Sequence, residues 1–134
     1  QMLDEYGNDI AYVYKHLPLS FHPQAENAAL ASECANEQGK FAPYMNTLFD
    51  KQAEWGNTKG TQAFKNYARQ LGLKADFNAC LDSGKYADKV AADAEEAAKF
   101  GVDGTPGIFV GDEFFAGAVQ YEQLKSVIDG QMAE

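Results

Sequence analysis

Cysteine is scarce in this chain: Cys34 and Cys80 are the only two, and they stand far apart. That separation excludes a CxxC redox motif and any compact zinc knuckle. Positive charge is scarce as well. Eleven Lys and Arg face 20 Asp and Glu, for a net charge of −9 and a pI near 4.6. No basic cluster exceeds two neighbouring residues, which argues against non-specific binding to nucleic acid or to an anionic membrane surface. The apolar runs are too short to span a bilayer, and no low-complexity tract interrupts an ordinary globular composition. Histidine is limited to His16 and His22, read at a strand end and in a loop without a carboxylate or thiol at ligand spacing. Solvent-facing or capping roles are expected for both, and no metal site. The carboxylates Asp88, Asp93, Glu95 and Glu96 read as a solvated helix face, since a calcium site needs oxygen ligands on a loop. The opening QMLDEYG has neither the basic nor the apolar region of a signal peptide. It reads as the last turns of a helix capped by Gly7, so the expectation is that something upstream has been lost.

The most informative stretch runs from Gly101 to Asp129, GVDGTPGIFVGDEFFAGAVQYEQLKSVID. It contains a helix end, a Gly-Thr-Pro-Gly turn, a short apolar strand, a second strand and an amphipathic helix. Pro106 donates no backbone hydrogen bond and fixes φ, so it belongs at the start of a strand. Thr105 before it is pushed towards extended geometry, and the Thr105–Pro106 bond is a candidate for the cis isomer. Strands are predicted at about 107–111 and 114–118, joined by a tight Gly111-Asp112 turn. A helix over Tyr121 to Met132, buried through Leu124, Val127 and Ile128, follows. Phe114 and Phe115 point to opposite faces, so one suits a core and the other a peptide groove.

Upstream, the β-branched and aromatic residues of Ile10 to Leu19 predict a strand over roughly 10–16. His22-Pro23 opens a long helix stopped by Gly39, with a buried face of small residues including Ala28, Ala31, Ala35 and Cys34. Phe41, Tyr44, Met45, Leu48 and Phe49 give the next helix an aromatic face. Ala53 to Gly60 reads as a polar loop whose Trp55 covers the core. Thr61 caps a helix running to Gly72, Asp76 opens a shorter one closed by Ser83-Gly84, and Lys85 to Phe100 forms another. The order is a strand, about five helices, a β-hairpin and a helix, which is a small sheet with a helical insertion. At 134 residues the chain is one domain, able to bury roughly two thirds of its unfolded surface.

The blocks YVYKHLPLSFHPQAENAAL, ECANEQGKFAPYMNTLF, LGLKADFNACLDSGKY and GVDGTPGIFVG…FFAGAVQYEQLKSVID resemble, in order and spacing, the DsbA-like family of thioredoxin-fold thiol–disulfide oxidoreductases. The resemblance implies an α/β thioredoxin-like fold, with 1–19 and 101–134 as the thioredoxin core and 20–100 as an α-helical insertion. It also implies a first central strand and a CxxC-bearing helix start that are absent from Gln1–Glu134 and expected upstream of Gln1. In such folds the first cysteine is a reactive thiolate at a helix N-terminus. The sheet without its central strand would be flanked by unpaired backbone groups, filled by the parent protein or by a swapped or added strand.

The family's cis-proline loop would here be Gly104, Thr105 and Pro106, contacting substrate peptide and catalytic cysteine, with Thr105 tuning the redox potential. For Cys34 and Cys80 the residues alone leave a structural disulfide, buried free thiols or a redox role open. The second, non-catalytic disulfide of some DsbA-like proteins implies a brace between them. The expected activity is thiol–disulfide exchange in the intact protein, with no organic cofactor. Expected partners are cysteine-bearing polypeptide substrates, a redox partner protein and, through strand swapping, a second copy; nucleic acid and membrane insertion are not expected. The family suits a bacterial periplasm or other extracytoplasmic space. The alternative is a non-catalytic thioredoxin-like binding module or a strand-swapped interaction domain.

Overall fold

The computed structural model describes residues 1–133. In chain order its elements are α1 (Met2–Tyr6), α2 (Ala25–Asn36), α3 (Phe41–Asp50), α4 (Gln52–Trp55), α5 (Gln62–Gln70), α6 (Asp76–Ser83), α7 (Ala87–Lys99), β1 (Gly107–Val110), β2 (Glu113–Ala116) and α8 (Tyr121–Met132). The fold is mostly helical with a small two-stranded sheet. The chain packs as two units, one of residues 1–15 with those from Ala97 onward, the other of residues 16–96.

In the first unit β1 and β2 pair antiparallel, with Ile108 opposite Phe115 and Phe109 opposite Phe114. Gly111 takes φ +59° at the turn, a conformation glycine adopts without steric cost. Leu124 and Ile128, one turn apart on α8, are its buried residues. The Tyr6 hydroxyl at the end of α1 donates to Asp129 Oδ1 at 2.5 Å, and Lys125 Nζ lies 3.0 Å from Glu5 and 3.2 Å from Asp129. The Tyr121 hydroxyl donates to Glu5. This network ties α1 to α8. Its hydrogen bonds lower the Glu5 and Asp129 carboxyls and push the Tyr121 hydroxyl up to about 12.

The strand expected at 10–16 does not form: among the described residues the sheet holds only β1 and β2. Extended chain becomes a strand by sharing a ladder with a neighbour, and neither β1 nor β2 pairs with this segment. Its β-type side chains Tyr12 and Val13 are exposed.

The second unit is helical. Alanines 29, 31 and 35 on α2 let α3 and α6 approach closely, and Cys34 of α2 is joined to Cys80 of α6 by a disulfide. Tyr44, fully buried, lies tilted against Phe77 with ring centroids 5.4 Å apart and donates its hydroxyl to the Phe64 carbonyl at 2.9 Å. Burial therefore raises the Tyr44 pKa above the ordinary phenol range. The segment read as a polar loop at 53–60 instead begins with α4. Trp55 donates its indole N–H to the Leu48 carbonyl at 2.8 Å and packs on Phe64, so tertiary contacts order that turn. Thr61 occupies the N-cap position of α5 without a side-chain cap bond. α6 ends on Gly84 in the left-handed region, at φ 64° and ψ 36°.

Candidate functional site

The loop 101–107 is built by three local constraints. Gly101, at φ +73°, ends α7, and the Val102 amide turns back to the Ala97 carbonyl at 2.9 Å. The Thr105–Pro106 peptide bond is cis. The Pro106 carbonyl accepts from the Gly117 amide at 2.8 Å, which fastens the loop to the end of β2. Gly107 is required for close approach: a Cβ there would meet Val102 Cγ1 at 2.8 Å and Phe114 Cε2 at 3.3 Å. Val102 and Phe114 thus close over the strand.

Beside this loop lies a recess of about 160 Å³, with Val102, Phe114 and Ala116 as apolar wall and Asp103, Gly104 and Thr105 as polar rim. Of the residues singled out from the sequence, Gly104 and Thr105 line this recess and Pro106 follows them on the surface. Phe114 faces the recess, while its neighbour Phe115 is half-buried on the other side of the hairpin. The recess combines an apolar wall with the Thr105 side chain. It contributes no thiol. Cys34 and Cys80 are 1% and 6% exposed and sit in the helical unit, bonded to each other. Among the described residues no group of three His, Cys, Asp or Glu could hold a metal ion.

The helical unit also holds a polar cluster that sequence reasoning missed. His16, expected at the surface, is 3% exposed, and its backbone amide donates to Asp93 Oδ2 at 3.0 Å. Its imidazole Nε2 lies 3.6 Å from Glu33 Oε2, and Lys89 Nζ is 3.4 Å from that oxygen and 3.5 Å from Asp93. Asp93 leaves the solvated face assigned to it, being 6% exposed, whereas Asp88, Glu95 and Glu96 are exposed as expected. Burial drives the His16 pKa below the usual imidazole value, against the opposing pull of Glu33. The readable signal was Glu33, three and four residues beyond Leu30 and Ala29 on the apolar stripe of α2. His22 stays at the surface, its ring 4.4 Å from Phe21.

A family model described as thioredoxin matches residues 1–130. Among curated proteins, the Na(+)/H(+) antiporter NhaA of Herminiimonas arsenicoxydans is 33% identical over 125 residues, covering 92% of this chain and 19% of that protein. NhaA 1 of Mycolicibacterium vanbaalenii is 37% identical over 111 residues, 78% of this chain and 17% of the antiporter. NhaA 1 of Salinispora arenicola is 33% identical over 135 residues, 99% and 20% respectively. The chain spans about a fifth of the length of the curated relatives it matches. Among solved structures, a thioredoxin-like oxidoreductase from Silicibacter pomeroyi shares the fold at TM-score 0.73 and 24% identity, covering 91% of this chain and 68% of that one. ScsC from Proteus mirabilis, in a compact conformation, does so at TM-score 0.68 and 20% identity, covering 99% and 71%. With the thioredoxin model matched from Gln1 to Gly130, the chain belongs to the thioredoxin family.

Proposed function

We propose that this chain is the substrate-facing part of a thiol–disulfide oxidoreductase. The loop Gly104-Thr105-Pro106 beside its apolar recess carries this reading. The exchanging dithiol is not Cys34–Cys80, which are buried and mutually bonded, so it comes from polypeptide outside Gln1–Glu134. In the oxidising direction a substrate thiolate attacks that disulfide and forms a mixed disulfide. The substrate's second thiolate then displaces it, leaving the substrate oxidised and the domain's two thiols reduced. A redox partner protein resets them, and no organic cofactor is needed. The buried disulfide in the helical unit supports an oxidising, extracytoplasmic setting such as a bacterial periplasm.

A binding module without chemistry is the second reading. The absence of a dithiol from the recess and the exposed Phe109 and Phe114 on the hairpin favour it. A strand-swapped dimer would be one form of it. The deciding experiment is insulin reduction under dithiothreitol, run on Gln1–Glu134 and on the natural polypeptide that contains it. The chain alone should be inactive. Activity in the longer polypeptide that is lost on mutating a CxxC there supports the oxidoreductase. An inactive longer polypeptide that still binds unfolded protein at the recess supports the module, and clear activity of the chain alone would overturn the assignment of the site.

A further inference from the structure

We propose that His16, Glu33, Lys89 and Asp93 form an acid-opened clasp, fastening the point where the chain enters the helical unit to the helix by which it leaves. The helical unit comprises residues 16–96, so His16 is its first residue and Asp93 stands one turn from its last. The backbone amide of His16 donates to Asp93 on α7, and its imidazole faces Glu33 on α2. One residue is thus held by both helices. Lys89 bridges Glu33 and Asp93 from the solvent side, being nearly half exposed while the two carboxylates are buried.

The charge balance gives the clasp its pH sensitivity. Around the imidazole stand two carboxylates, Glu33 and Asp93, and one ammonium, Lys89. Among the described residues no hydrogen bond reaches Glu33 Oε2, so the Lys89 ammonium 3.4 Å away holds that oxygen. A proton on His16 would balance the charges, yet at 3% exposure the imidazolium would lack water. Desolvation outweighs the attraction of the carboxylates and the folded state favours neutral imidazole. The unfolded or opened chain binds the proton more readily. Stability therefore rises with pH between the lowered value and the ordinary 6.5, is fully present above 6.5, and is lost as pH falls through that window.

Because the chain has only two histidines and free carboxylates titrate near 4, melting between about pH 7.5 and about pH 5 isolates this group. Wild-type protein should lose melting temperature across that range. His22→Gln should lose it equally, and His16→Gln should lose much less. Should His16→Gln fail to fold, NMR titration of the wild-type imidazoles decides. His16 should titrate below 6.5, Glu33→Gln should shift it lower still, and protection of the His16 amide, corrected for intrinsic exchange, should fall in the same pH range. Equal pH dependence in wild type and His16→Gln, or His16 titrating at or above 6.5, would overturn the clasp.

Discussion

At Gly107 the absence of a side chain is what lets Val102 and Phe114 form the wall of the recess. A methyl group there would sit 2.8 Å from Val102 Cγ1 and 3.3 Å from a Phe114 ring carbon. Val102 precedes the proline loop and Phe114 belongs to the ladder, so both side chains must shift to admit a Cβ. Gly107→Ala should therefore destabilise the chain by about 1–3 kcal/mol, the usual cost of overpacking. It should also distort the recess while leaving the helical unit intact. Chemical denaturation reads the first effect, and chemical shifts confined to 102–117 read the second; a neutral substitution would mean the wall is loose. Gly107 has no left-handed φ to announce it, so only the packed structure reveals the requirement. His16 was hidden in the same way. Nothing within KHLPL tells of Asp93, because their meeting depends on two helices that the linear pattern cannot place together.

Among the elements, those that close locally were legible from sequence. Glycines 84 and 101 stop α6 and α7 where predicted, and α8 runs from Tyr121 to Met132 as its apolar spacing implies. The hairpin turn at Gly111-Asp112 likewise needs only its own residues. Segment 10–16 and α4 were not legible, since a strand requires a ladder partner and α4 is ordered by Trp55 reaching Leu48 and Phe64. The Cys34–Cys80 link has the clearest energetic consequence at this scale. It joins α2 to α6 over a sequence separation of 46, and in the chain-entropy model such a loop contributes about 4 kcal/mol. The double variant Cys34→Ser with Cys80→Ser should lose stability of that order in urea, and dithiothreitol should reproduce the loss in wild type only under conditions that open the helical unit. Ready reduction of the native protein by mild thiol would contradict the burial of both sulfurs.

For the whole molecule, the two units carry different acid-sensitive groups, and this orders their response to pH. In the helical unit the sensitive group is buried His16, whose lowered pKa removes stability as pH falls below 6.5. In the hairpin unit the groups are Glu5 and Asp129, lowered from 4.5 and 3.8 by hydrogen bonds from Tyr121, Tyr6 and Lys125. For a lowered carboxyl the unfolded chain takes up the proton first. Stability is then present above the unfolded value and is lost as pH falls from there through the lowered folded value. Both carboxylates are accessible to water, so their contribution should be the smaller of the two. Acidification should therefore loosen the helical unit before the α1–α8 network. Hydrogen exchange by mass spectrometry, corrected for intrinsic rates, should show peptides around 16–36 and 87–96 losing protection between about pH 6.5 and about pH 5. Peptides covering 1–9 and 121–132 should hold until pH approaches about 4. A single transition, with both sets of peptides opening together, would mean that the units share one cooperative equilibrium and that His16 does not set the first step.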